Sequence, residues 1–173
     1  MSNGVVQIYY GEGHGKSTAA LGNAIHAASE GKSVIVIQFL KGKMEQEYEF
    51  LQRLEPEIKF FRFSKLDAPF DELDDAAKQE EIINLKNGFN YGKKVISTGA
   101  CDMVILDEIL GLVDHKVITI EDIQSMMECK PEEMSVIFTG RVLGEEIREF
   151  ADEIYNIAPE KLTVNSQSAI LDK

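Results

Sequence analysis

Three glycines, a lysine and two hydroxyls crowd into Gly11-Glu12-Gly13-His14-Gly15-Lys16-Ser17-Thr18, directly after an apolar run carrying Val5, Val6, Ile8 and Tyr9. This order reads as a phosphate-binding loop. Glycine backbones let N–H groups turn inward around an anion, Lys16 supplies a mobile positive charge, and Ser17 or Thr18 offers a hydroxyl to Mg²⁺. The helix that follows adds its unbonded first-turn N–H groups and the positive end of its dipole. His14 contributes a peptide N–H and a polar tip. Counting back from Gly15, the usual first glycine position holds Tyr10 and the glycine has moved to Gly11, so the loop is one residue tighter than in ordinary nucleotidases.

Three further places can do chemistry beside that loop. The run Met103-Val104-Ile105-Leu106 ends in Asp107-Glu108, carboxylates at the end of an apolar strand, suited to binding Mg²⁺ directly or through water. Lys41 and Arg141 each follow an apolar run as well, and a triphosphate's charge requires several cations. No Ser/His/Asp or Cys/His arrangement suggests a protein nucleophile. His26 and His115 read as a helix-face and a loop residue without chemistry. Cys101 and Cys129 stand far apart with no CxxC, which argues against a zinc site or a disulfide framework, and both read as buried small residues.

The elements that must position these groups alternate. Val5 to Tyr10 reads as a strand and Ser17 to about Glu30 as a helix whose alanines permit close packing on a sheet. Ser33 to Leu40 is a near-continuous apolar, β-branched run, as expected of a parallel strand covered on both faces. A helix over Glu45 to Leu54, a break at Pro56, a strand over Ile58 to Phe63 and a long helix over Ala76 to Ser97 follow, the last weakened by Gly88 and Gly92. Between Leu66 and Glu81 lie seven acids and one base, Lys78; they follow no calcium-loop spacing and read as a solvated loop and helix entry, Glu81 included. Then come the strand ending at Asp107, a helix from an N-cap at Thr119 to about Cys129, a strand over Ser135 to Thr139, a short helix over Glu145 to Phe150 and a last strand over Glu153 to Ile157. Such alternation predicts an α/β fold with a mainly parallel central sheet covered by helices on both faces. In such a sheet ligands bind at the carboxyl ends of the strands, where the four candidate groups all fall.

With 173 residues the chain reads as one domain, 1–173, with 158–173 a loop or tail. A net charge of −12 disfavours nucleic acid and anionic membrane as partners. The absence of a membrane-length apolar run or a signal-like N-terminus predicts a cytoplasmic protein.

Taken in order, the motifs resemble those of the P-loop-type ATP:corrinoid adenosyltransferases, which act on cob(I)alamin or cob(I)yrinic acid a,c-diamide. The resemblance is carried by Gly11 to Gly22 (GEGHGKSTAALG), Val36 to Gly42 (VIQFLKG), Val104 to Glu108, Phe138 to Arg141 (FTGR) and Ala151-Asp152. The shortened loop is shared. The resemblance implies a single-domain RecA-like P-loop fold and transfer of the 5′-deoxyadenosyl group of ATP to reduced cobalt, with release of the whole triphosphate. By position, Gly11, Gly13, Gly15, Lys16, Ser17 and Thr18 would cradle phosphates, Ser17 and Glu108, with Asp107 beside it, would hold Mg²⁺, and Lys41 and Arg141 would neutralise the terminal phosphates. It also implies a corrinoid partner, a flavodoxin-like reductant and a homodimer. The departures from the family pattern are His14 in place of a loop lysine, the segment Phe63 to Phe70 and the stretch from Ala158 to Lys173. Two other readings of the loop remain open: a P-loop kinase or ATPase acting on another small metabolite, and a nucleotide-binding regulatory protein without transferase activity.

Overall fold

Six strands form one sheet in a computed structural model that describes residues 3–41, 49–65 and 68–162. The strands are β1 (Val6–Tyr10), β2 (Val34–Gln38), β3 (Ile58–Arg62), β4 (Met103–Asp107), β5 (Ser135–Gly140) and β6 (Glu153–Asn156), in the order β3-β2-β4-β5-β1-β6. All five pairings are parallel, so every carboxyl end points to one edge of the sheet. The register aligns those ends: Gln38 stands opposite both Arg62 and Asp107, and Tyr10 opposite both Gly140 and Asn156.

The helices are α1 (Lys16–Ser29), α2 (Asp75–Ser97), α3 (Ile109–Asp114), α4 (Ile120–Met127) and α5 (Glu145–Arg148). The expected double coverage is present. On one face α1 lays Ala20, Ala24 and Ala27 against Val34, Val36, Phe60, Ile105 and Ile137. Their spacing puts the three methyl side chains on one helical stripe, and their small size brings the helix close to the sheet. On the other face Leu85, Phe89, Val95 and Ile96 of α2 pack with Ile35, Ile37, Leu106 and Phe138, together with residues of α3 and α4. β2 is buried along its whole length, as the unbroken VIVIQ run requires of a strand between two layers.

Gly88 and Gly92 permit close packing here. A Cβ at Gly88 would come within 2.9 Å of Phe63 Cδ2 and 3.0 Å of Phe39 Cε1, and one at Gly92 within 3.2 Å of Leu106 Cδ2. The long helix thus accepts weak propensity to approach the sheet and the segment after β3. Thr119 forms the expected cap: its hydroxyl accepts from Asp122 N while Asp122 accepts from Thr119 N, a full capping box.

Several expectations need correction. Glu81 is not a solvated acid; it is 2% exposed, accepts hydrogen bonds from Ser64 Oγ and Lys65 N, and takes a longer contact from Asn84 Nδ2. It lies one helical turn before Leu85, on the stripe facing the core. Cys129 is exposed, because α4 ends two residues earlier and the chain turns outward, whereas Cys101 is buried as expected. α3 follows Glu108 directly and was not expected; it has no polar–apolar period to announce it, since Ile109 through Leu112 are all buried. Of the helix expected over Glu45 to Leu54, residues 45–48 lie outside the described residues, residues 49–51 are α-helical as expected, and Gln52–Leu54 is a 3₁₀ turn. Residues 158–162 carry no helix or strand, and 163–173, the rest of the expected loop or tail, lie outside the described residues.

Candidate active site

β1 ends at Tyr10, and the glycine loop turns the chain into α1. Gly15 is the N-cap of α1 with a left-handed backbone (φ 108°), and no side chain caps the helix. α2 and α4, by contrast, are capped by Asp74 and Thr119. The first-turn N–H groups of α1 therefore point into the loop with no side-chain partner, the arrangement that binds anions. The loop is braced from outside. Gly11 N donates to the carbonyls of Gly140 and Arg141 (3.2 and 3.1 Å), and Gly13 N donates to Ile157 O at 2.8 Å. A Cβ at Gly13 would lie 2.7 Å from that same carbonyl oxygen, so only glycine fits. Lys16 folds back across the loop, its Nζ donating to Gly11 O and Gly13 O at 2.8 Å each.

Asp107 is the centre of the charged network. It is 2% exposed, and its Oδ1 accepts from both Ser17 Oγ and Thr139 Oγ1 at 2.7 Å. Its Oδ2 is buried and receives no well-formed hydrogen bond among the described residues; the Lys41 ammonium stands 2.8 Å away. Burial alone would raise the Asp107 carboxyl, but the positive charge of Lys41 beside it and the hydrogen bonds from Thr139 and Ser17 hold it below the usual carboxylate range. Glu108 behaves oppositely. Burial, then repulsion from Asp107, raises its carboxyl above the usual range, and Lys16, Lys41 and Arg141 only partly offset this. Its backbone is left-handed (φ 63°), and its N–H donates to Thr139 Oγ1 at 2.8 Å.

The structure thus brings Lys16, Ser17, Lys41 and Asp107 together, with Glu108 and Arg141 at the ends of neighbouring strands. Glu12 and His14 are exposed on the loop, Thr18 follows Ser17 on α1, and Arg141 is exposed while its carbonyl braces Gly11. A small cavity beside Asp107 is lined by Thr18, Leu21, Gln38, Leu51 and Phe60 among others. The acidic strand is not the immediate neighbour of the loop strand, since β5 lies between β1 and β4. Sequence reasoning missed what β5 contributes. Thr139 links Asp107 to the Glu108 backbone, and its only signal was a hydroxyl just before the Gly140-Arg141 strand end.

Chemically, the site combines an anion cradle, a mobile lysine, and a buried carboxylate sharing its neighbourhood with a serine and a second lysine. Phosphates and a divalent cation are the ligands this set suits. Among the described residues no group of three or more His, Cys, Asp or Glu could hold a metal by itself.

Residues 2–169 match the family model described as ATP:corrinoid adenosyltransferase BtuR/CobO/CobP. The chain is 32% identical over 158 residues to a corrinoid adenosyltransferase of Escherichia coli, covering 91% of this chain and 78% of that one. A corrinoid adenosyltransferase of Salmonella typhimurium is 30% identical over the same length, with the same coverage. Among solved structures, the flagellar accessory protein FlaH of Methanocaldococcus jannaschii superposes with a TM-score of 0.63 at 15% identity, over 94% of this chain and 75% of that one. That last likeness concerns the fold alone.

Proposed function

The chain belongs to the ATP:corrinoid adenosyltransferase family, and from that premise we propose how its own residues serve the reaction. The protein transfers the 5′-deoxyadenosyl group of ATP to the cobalt of a reduced corrinoid. The electron pair of Co(I) forms the Co–C5′ bond, the C5′–O bond breaks, and triphosphate departs with that bonding pair. No protein nucleophile or proton transfer is required. What the protein must supply is orientation of ATP, stabilisation of the leaving charge and exclusion of water.

In this reading the triphosphate lies on the uncapped N-terminus of α1, and Lys16 exchanges the Gly11 and Gly13 carbonyls for phosphate oxygens. Lys41 and Arg141 approach from the ends of β2 and β5 to balance charge on the leaving group. The residues present also fit Mg²⁺. Asp107 offers a buried oxygen, Oδ2, that the Lys41 ammonium meets but that receives no well-formed hydrogen bond among the described residues, and Ser17, having directed its proton to Asp107, keeps lone pairs for an ion. Ser17 and Asp107 would hold the ion, with Glu108 contacting its water shell and phosphates completing it, as Mg²⁺ sites commonly use one or two protein ligands. Bound there, the ion would neutralise charge on the departing triphosphate. The reading extends to a cytoplasmic protein, as its apolar pattern suggests, and to a homodimer whose corrinoid is reduced to Co(I) by electrons from a flavodoxin-like protein, which family resemblance supports. Among the described residues no helix is long and apolar enough to cross a membrane.

The observation that carries the site reading is the meeting of Ser17, Thr139 and Lys41 on Asp107 beside an uncapped helix. Anaerobic incubation with chemically reduced cobalamin or cobinamide and Mg-ATP tests it. A light-sensitive Co–C spectrum and inorganic triphosphate should appear together, and Lys16→Ala should slow both by roughly 10–100-fold, the worth of a charged hydrogen bond. A phosphorylated metabolite or ADP as the product would instead support a kinase or ATPase.

A further inference from the structure

Asp107 carries a buried negative charge whose two oxygens are unequally provided for. Oδ1 takes two hydroxyl hydrogen bonds, from Ser17 and Thr139. Oδ2 faces the Lys41 ammonium at 2.8 Å and receives no well-formed hydrogen bond among the described residues. A carboxylate so buried needs a cation nearby, and Oδ2 is the oxygen left to meet one. A Mg²⁺ or Mn²⁺ ion would seek the same oxygen at about 2.0–2.1 Å, and two cations on one buried oxygen repel strongly where water is scarce.

The backbone before Lys41 directs this contact. Phe39 N donates to Asp107 O at 2.9 Å, continuing the β2–β4 ladder. Leu40 then adopts a left-handed backbone (φ 55°), unusual for a branched residue, and its Cδ1 lies 2.6 Å from where a Cβ on Gly111 would stand. The turn brings the next residue, Lys41, onto Asp107. Its side chain is 31% exposed, and four methylenes give it freedom to move away.

We propose that Lys41 takes the metal's place on Asp107 in the nucleotide-free protein. A divalent ion then enters only with a triphosphate, which offers the lysine a better partner and draws it off the carboxylate. Lys41 thereby makes the site selective for the metal–nucleotide complex over free metal. The inference rests on the assignment of the ion to Ser17 and Asp107 made above.

Mn²⁺ titrations followed by electron paramagnetic resonance test this directly, with circular dichroism to establish that each variant is folded. Without nucleotide, at mildly alkaline pH, Lys41→Met should bind Mn²⁺ at least about tenfold tighter than the parent, the effect of removing one competing charged contact. Lys41→Arg, which keeps the charge, should bind as weakly as the parent. With ATP present the order should reverse, because the Met variant has lost a phosphate partner. A folded Lys41→Met protein with unchanged or weaker Mn²⁺ affinity, whose Mn-ATP binding still depends on Asp107, would overturn the selectivity role alone. Tight Mn²⁺ binding that survives addition of Asp107→Asn to Lys41→Met would place the ion elsewhere and overturn the metal assignment itself.

Discussion

Adjacent carboxylates at the end of β4 illustrate how one residue's displacement along the chain changes its chemistry. Asp107 is held anionic by a lysine and two hydroxyls, while Glu108 is pushed toward its neutral form by burial and by the charge of Asp107. A carboxyl whose folded pKa lies above its unfolded one imposes no penalty below the unfolded value, about 4.3 for Glu, and removes stability as pH rises through the folded value. Glu108→Gln should therefore raise the urea midpoint of the nucleotide-free protein at neutral pH, and the gain should vanish near pH 4. Because the chain carries net charge −12, the exposed Glu80→Gln serves as a control for general charge removal. Equal shifts in the two variants at neutral pH would show that burial at Glu108 has no such consequence.

At the scale of elements, α2 does more than cover the sheet. Gly88 lets Phe63 approach, Tyr91 meets both Phe61 and Phe63 at ring separations of 4.8 and 5.7 Å, and Glu81 accepts from Ser64 and Lys65. The helix thus fastens the segment that leaves β3 at the same sheet edge as the glycine loop. Burying a carboxylate is unfavourable unless it is hydrogen-bonded, so Glu81 and that segment stabilise each other. Glu81→Ala should lower stability by about 1–3 kcal/mol, the worth of hydrogen bonds to a buried acidic side chain together with the packing it loses, and should speed hydrogen exchange at the Lys65 amide. Denaturant melts and exchange rates measure both. A loss no greater than about 0.5 kcal/mol, typical of a surface change, with unaltered exchange, would mean that Glu81 does not hold the segment.

For the molecule as a whole, two hydrophobic layers meet across a single sheet whose strand ends build the site. Unfolding the sheet must dissolve the phosphate loop, since Gly11 and Gly13 are braced by carbonyls from the ends of β5 and β6. The described fold should therefore melt in one transition, and Mg-ATP should stabilise it by mass action. At a hundredfold excess over Kd the gain is about 2.7 kcal/mol, or roughly 5–10 °C for a chain of this size. Lys16→Ala should melt near the parent temperature without ligand and lose most of that shift with it. Scanning calorimetry decides the matter: an equal ligand shift in parent and variant would place the nucleotide away from the loop.

The local pieces are legible in the order of residues: a glycine loop between strand and helix, the buried β2 run, the Thr119 cap and the acids closing β4. Each depends on residues a few positions apart, because backbone conformation, capping and burial period are short-range. Partners across the fold follow from how the strands and helices pack. Strand order placed β5 between the loop strand and the acidic strand, which made Thr139 the link between Asp107 and Glu108. The turn at Leu40 put Lys41 on Asp107, and the path of the chain after β3 turned Glu81 from one acid among seven into a buried anchor. A side chain's charge and reach are written in its type. Which neighbour satisfies it depends on contacts between residues tens of positions apart, and those exist only once the sheet has assembled.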